Sequence, residues 1–443
     1  MAFTLSPVVF ADLQRHIGLD CSPLAFRRKL TTFLQRSCHG TVVLDGALPL
    51  QWSLTESAKE FCRIYRQERS STVTDGAAHS VRPLFSSTCP AFVCLVEKSH
   101  AKLVPRLATT KSPMAIAGAY LKQVLRHQNA TSAHDILHVA VMPCHDKKLE
   151  ASRKDFIDQQ TNAPDVNLVV TTRELMDLLE EHCGTNDPVL VRQYLNDLPE
   201  SSVMDNDNVL HNNNDNGNRT TITGLLSTGF SVDAMDCSDS CENDSSSTSF
   251  YAHSSGGYAD FVFRYAAKDL FGVCIDGPLP WKPVETATIK HRSARTANRK
   301  KEYHAVSLYR HSDGTFSTKP SNDTASTPVL RFATAYGMQT LQRVLQSHEP
   351  SKTQHDYIEA MACPSGCANG GGQIRMRARE VPTETRERVR RTNQRLEQTR
   401  SIRAPGSDDM VPPVEMQTSF HVVAPLQLTM GAAAGVAVQD TQW

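Results

Sequence analysis

The sequence predicts an α/β protein of two lobes, each with mostly parallel sheets flanked by helices. Three observations carry this. Between residues 86 and 180, short apolar runs alternate with stretches of helical periodicity. A second such alternation begins at Gly257. Between them, residues 198–256 are rich in Asn, Asp and Ser and poor in core-forming side chains, which reads as a low-complexity acidic insertion.

Residues 1–80 read as a helical N-terminal region. Residues 24–34 carry apolar side chains at helical spacing. A second helix over 53–67 sets Leu54, Ala58, Phe61 and Ile64 on one stripe, with Ser53 or Thr55 as its cap and Glu56 completing a capping box. Residues 81–197 form the first α/β lobe. The run 136–142 is a buried strand that ends in Pro143-Cys144, and 166–170 is another. The second runs into a capping box, Thr171 with Glu174, that opens a helix with Leu175, Leu178 and Leu179 inward and Gly184 past its end. Ligands in such sheets bind at the carboxyl ends of strands, which is where Cys144 falls. Residues 257–375 form the second lobe. Tyr258, Phe261, Val262, Tyr265 and Ala266 make a helical stripe ending near Gly272, strands follow at 303–308 and 329–332, and a helix at 337–345. Residues 376–443 are a charged, solvated helix and a tail.

The chain has 443 residues, and 47 basic residues balance 47 acidic ones. A net charge of zero argues against a nucleic-acid partner, whose phosphates demand excess Lys and Arg. No apolar run approaches the ~20 residues that cross a bilayer, so no membrane partner is expected. The first residues lack a basic segment followed by an apolar core, which points to a reducing compartment. There, twelve cysteines suit metal or redox chemistry better than disulfides. The zinc-hydrolase, P-loop, dinucleotide and nucleophile-elbow motifs are all missing from the sequence.

The sharpest signal is Cys363-Pro-Ser-Gly-Cys367-Ala-Asn followed by Gly370, Gly371 and Gly372. Two cysteines four apart lie one helical turn apart, and Pro364 suits a first helical position. The helix terminus would stabilise thiolates, and the glycines would admit a bulky ligand. Two thiolates hold neither a cubane nor a closed zinc site, each of which takes four. Cys89, in Ser-Thr-Cys-Pro, and Cys144, in Met-Pro-Cys-His, share one grammar of strand end, turn and proline. Cys237 and Cys241 fall in the insertion and read as disordered, whereas Cys94, Cys183 and Cys274 read as structural.

The segments STCPAFVCLVEKSH, TTKSPM, VMPCHDKKLEASR, DVNLVVTTRELMDLL and YIEAMACPSGCANGGGQ stand in the order found in the FeFe-hydrogenase superfamily. Their flanks resemble its eukaryotic branch, which includes the cytosolic iron–sulfur assembly factors similar to nuclear prelamin A recognition factor. The resemblance implies a two-lobed FeFe-hydrogenase-like fold. It also implies that Cys89, Cys144, Cys363 and Cys367 ligate one 4Fe–4S cluster between the lobes. Lys111 matches a lysine at the two-iron subsite of hydrogenases, and Met142 and Met361 match methionines that line it. Thr88 replaces the cysteine that relays protons there, and a threonine hydroxyl is a poor relay. The expectation is therefore a carrier and not an enzyme: a cytosolic factor that takes clusters from scaffold proteins and passes them to a targeting complex. Trp443 resembles the terminal tryptophan that such a complex reads. A nuclear pool is a second expectation. Cys21, Cys38 and Cys62 lack the spacing of the further cluster site that this branch carries near its start, so the chain reads as a truncated or shortened member. The alternatives are an active hydrogenase, a prelamin-binding protein with a structural cluster, and a four-cysteine zinc site.

Overall fold

The computed structural model describes residues 1–19, 21–39, 42–70, 83–129, 132–199, 254–284, 302–320, 326–347, 355–377, 379–399 and 414–423. Most of the insertion, with Cys237 and Cys241, and the terminal Trp443 lie outside the described residues. The chain opens with β1 (Ala2–Leu5), α1 (Pro7–Ile17), α2 (Pro23–Ser37), β2 (Val42–Asp45) and the long α3 (Ala47–Ser70). β3 (Leu84–Ser86), α4 (Pro90–Ser99) and α5 (Pro113–Asn129) follow, then β4 (His138–Met142), α6 (Asp146–Ala151), β5 (Leu168–Thr171), α7 (Thr172–Cys183) and α8 (Pro188–Asp197). After the insertion come α9 (Tyr258–Phe271), β6 (Lys282–Pro283), β7 (Tyr303–Arg310), β8 (Phe316–Ser317), β9 (Thr327–Tyr336), α10 (Met338–Ser347), β10 (Tyr357–Met361) and α11 (Pro382–Thr399).

The strands form two sheets. The first has the order β2-β1-β4-β5 and is parallel throughout. The second has the order β3-β10-β9-β7-β6. Its β3, β10 and β9 are parallel, and β7 turns it antiparallel towards the far edge. The region read as helical thus also supplies two strands, β1 and β2. Each is only four residues long, too short for periodicity to reveal. β3, inside the stretch assigned to the first lobe, pairs with β10 in the second sheet. The chain therefore passes between the sheets more than once, and the two halves interlock.

Local chemistry explains most helix boundaries. Thr171 and Glu174 form the predicted capping box. Ser22 accepts from the Ala25 N–H to cap α2, with Pro23 in the first turn. The cap expected at Ser53 is wrong: α3 starts six residues earlier, where the Asp45 carboxylate accepts from the Ala47 N–H at 2.9 Å. Ser53 is buried in mid-helix, donating to the Lys111 carbonyl and accepting from the Tyr258 hydroxyl at 2.7 Å. On α7, Leu178 is exposed and Met176 takes the buried place.

The charged C-terminal helix is also not the solvated rod expected. α11 packs along α1 and buries Arg388, Val389, Thr392 and Leu396. Charge counts missed this because the few inward residues include an arginine and a threonine whose polar atoms are satisfied inside. Residues 414–423 then run as a strap along the 109–111 segment, with the Thr418 N–H donating to the Thr109 carbonyl at 2.8 Å. No described helix is long and apolar enough to cross a membrane.

Candidate metal centre

Three strands, β3 and β10 of the second sheet and β4 of the first, end at one place, and a cysteine follows each. Cys89 comes three residues after β3 and is the cap residue of α4, with Pro90 at the first helical position. Ser87 pins it: its hydroxyl accepts from the Cys89 N–H at 3.1 Å and donates to the Ala360 carbonyl of β10. Cys144 comes two residues after β4, beyond Pro143, and Cys363 two residues after β10. Cys367 lies across the next turn. All four line a single cavity, together with Thr88, Met142, Met361, Lys147 and Ser255.

The Cys363–Cys367 segment is not the helical turn its spacing suggested. Ser365 and Gly366 both take positive φ, 61° and 79°, and a short 3-10 turn begins only at Cys367. Gly366 is required twice over: a side chain rarely adopts that φ, and an added Cβ would sit 2.5 Å from the Ser255 Oγ. Two of the later glycines serve close backbone packing. A Cβ on Gly370 would lie 2.4 Å from the Pro143 carbonyl oxygen, so this residue lets the Cys367 loop press against the Cys144 turn. The Gly372 N–H donates to that same carbonyl at 3.0 Å. Gln373 completes the link: it accepts from the Thr172 hydroxyl at 2.6 Å and donates to the Cys367 carbonyl at 3.3 Å. The two sheets are thus locked together where their cysteines meet.

Burial dominates the electrostatics. It pushes the Cys144, Cys363 and Cys367 thiols up to about 12 and raises Cys89 too. Negative charge on neighbouring cysteines adds to the shift at Cys144, Cys363 and Cys367. These thiols stay protonated until a cation displaces the protons. Lys147, buried on the cavity wall and paired with Glu150 at 2.7 Å, pulls the other way on Cys89, Cys144 and Cys367. A buried ammonium here suits an anionic occupant. A single zinc ion, with Zn–S near 2.3 Å, would need sulfurs about 3.8 Å apart. Among the described residues, no three Cys, His, Asp or Glu side chains gather tightly enough to hold one metal ion. Four thiols around one cavity are the donor set that a multi-iron group takes, in which each sulfur holds its own iron.

Lys111 does not line the cavity; its ammonium faces Asp165 at 3.4 Å, both buried. Thr88, Met142 and Met361 do line it. Cys62 is buried in the core beside α9, and Cys21, Cys38 and Cys183 pack against the core of the first sheet. Cys274, expected to be structural, is exposed. Sequence reasoning missed Ser255, which accepts from the Cys367 N–H at 3.1 Å. It sits at the end of a serine-rich stretch, and nothing in composition separates it from its neighbours.

The sequence model of the iron only hydrogenase large subunit, C-terminal domain, matches residues 1–371. The chain belongs to that family. Its relatives include protein NAR1 of Arabidopsis thaliana, 33% identical over 84% of this chain, and cytosolic iron-sulfur assembly component 3 of Rattus norvegicus, 32% identical over 84%. The chain spans 65% and 62% of the lengths of those two proteins. The cytosolic Fe-S cluster assembly factor narfl of Danio rerio is 31% identical over 87% of this chain and 75% of its own length. These names speak of the cytosol, and none supports the expected nuclear pool. An apo FeFe-hydrogenase HydA1 from Chlamydomonas reinhardtii superposes with a TM-score of 0.63 at 20% identity, covering 95% of this chain and 93% of the other. The fold is therefore the two-lobed FeFe-hydrogenase-like one. Membership of this family supports iron–sulfur cluster binding.

Proposed function

We propose that the chain is a cytosolic iron–sulfur assembly factor that holds a 4Fe–4S cluster on Cys89, Cys144, Cys363 and Cys367. It takes clusters from scaffold proteins and hands them to the complex that loads apoproteins. The observation that carries this reading is the meeting of four cysteines, distant in sequence and drawn from both sheets, on one buried cavity. Bound there, the cluster supplies iron and sulfide for delivery. The protein's own residues hold it: four thiolates bind, Lys147 offsets negative charge, and Met142 and Met361 keep the wall apolar. Thr88 puts a hydroxyl on the cavity wall where a proton relay needs a group titrating near neutral pH, so we infer a carrier and not a hydrogenase.

Anaerobic reconstitution with ferrous iron and sulfide tests the reading. The parent chain is expected to take up both and to transfer them to an apo-acceptor, while Cys144→Ala falls to background iron. Zinc without sulfide, iron uptake untouched by Cys144→Ala, or robust hydrogen turnover would each reject it.

A further inference from the structure

The cluster-ligand loop is gripped from outside the matched family region by one buried arginine. Arg388 of α11 is 2% exposed, and each of its three guanidinium nitrogens has a fixed partner. Its Nε donates to both Glu380 carboxylate oxygens at 3.0 Å. Nη1 donates to the Ala368 carbonyl at 3.0 Å, and Nη2 to the Asn369 Oδ1 at 3.1 Å. Asn369 in turn donates to the Pro364 carbonyl at 3.2 Å. The fork therefore touches the residue after Cys367 and, through Asn369, the residue after Cys363. Glu380 neutralises the guanidinium, so the contact works through geometry and not through charge at the cavity.

α11 is itself held rigidly. Thr392 donates to Asp12 of α1 at 3.1 Å, and the same carboxylate accepts from the Ile374 N–H at 2.8 Å. Leu396, one turn further on, lines the cavity. We propose that Arg388 is a positioning residue that sets how firmly Cys363 and Cys367 retain iron, so that the seating of α11 governs how readily the cluster leaves. This rests on the cluster reading above. Groups that orient metal ligands change affinity by roughly 10- to 100-fold when removed, and a planar five-donor fork has no equivalent in lysine.

The test uses the full chain reconstituted with ferrous iron and sulfide, with cluster loss to a ferrous chelator followed by absorbance and the reduced cluster followed by electron paramagnetic resonance. Arg388→Met is expected to lose its cluster about 10-fold faster and to shift the resonance, and to lower the melting temperature of the iron-free chain because the buried Glu380 carboxylate loses its cation. Arg388→Lys should behave like Arg388→Met, because the fork is lost although the charge is kept. Asn369→Ala, which removes one arm, should give a smaller acceleration and carries the test if Arg388→Met does not fold. Parental retention and spectrum in the Arg388 variants, in Asn369→Ala, or on restoring charge alone with lysine overturn the clamp. A parent that takes up no iron sinks the cluster reading and the clamp with it, whereas a loaded parent with indifferent variants sinks only the clamp.

Discussion

The two sheets reach the same cavity from opposite kinds of interior. Behind the second sheet the core is aromatic: Phe332 stacks on Tyr357 at 4.8 Å and meets Phe61 and Phe263 edge-on at 4.9 and 5.2 Å. The first sheet is threaded by a buried polar chain. The Thr4 hydroxyl meets the His138 Nε2 at 2.9 Å, the His138 Nδ1 meets the Asp165 carbonyl at 3.0 Å, and Lys111 faces the Asp165 carboxylate. The Phe332 stack depends on contact area, which pH does not touch, and the Thr4–His138–Asp165 chain on protonation states. The aromatic frame carries Cys89, Cys363 and Cys367, so damaging it has the largest effect. Phe332→Ala, at a fully buried site, should cost about 4 kcal/mol in urea unfolding. A cost under about 1 kcal/mol would mean the stack is not the frame.

The polar side of the comparison is sharpened by pH. A carbonyl can only accept, so the His138 Nδ1 carries the proton and Nε2 accepts from Thr4. Burial pulls the imidazole down to about 4, with Lys122 adding to the shift. Below 6.5 the unfolded chain gains a proton that the folded chain refuses, so this group's stability is lost as pH falls from 6.5 to 4. The size is about 3 kcal/mol. Asp165 opposes it: burial raises its carboxyl to about 6 against the pull of Lys111 and Lys122, so the folded chain takes the proton first and gains stability as pH falls from 6 towards 3.8. The parent should therefore show a shallow curve across this window. His138→Gln removes the first slope, so its stability relative to the parent should improve by up to about 3 kcal/mol from pH 6.5 to 4. Parallel curves for the two proteins in urea titrations would refute the assignment.

The same contrast explains what was legible beforehand. Strands β4 and β5, the helix opened by Thr171, and the aromatic stripe of α9 stood out because several local signals agreed at each. β1, β2 and β3 were invisible because three or four residues carry no period, and their partners lie up to 273 residues away in the chain, as Leu84 does from Tyr357. At the site, the four cysteines were legible through their motifs. The close packing that requires Gly370 was not, since a Cβ there would meet the Pro143 carbonyl at the end of another strand. Ser255 and Arg388 act through contacts 112 and 20 residues distant, and no spacing rule encodes those.

The smallest effect lies where the first sheet touches the cysteine loops. The Thr171 hydroxyl accepts from the Glu174 N–H at 3.2 Å, and the Glu174 carboxylate accepts from the Thr171 N–H at 2.8 Å. The Thr171 side chain also packs against Gly372, next to the point where the Arg173 N–H donates to the Gly372 carbonyl at 2.9 Å. Thr171→Val keeps the shape and the packing and removes only the cap, leaving one helix donor unpaired. The expected cost is about 1 kcal/mol, with iron uptake on reconstitution unchanged. Thr171→Ser should keep the cap but lose the methyl contact with the glycine loop. If the serine variant retains stability while its iron uptake falls, the packing on Gly372 couples this sheet to the centre. If iron uptake falls in the valine variant instead, the cap itself holds the cysteine turn, and the division between a supporting sheet and its loops would need redrawing.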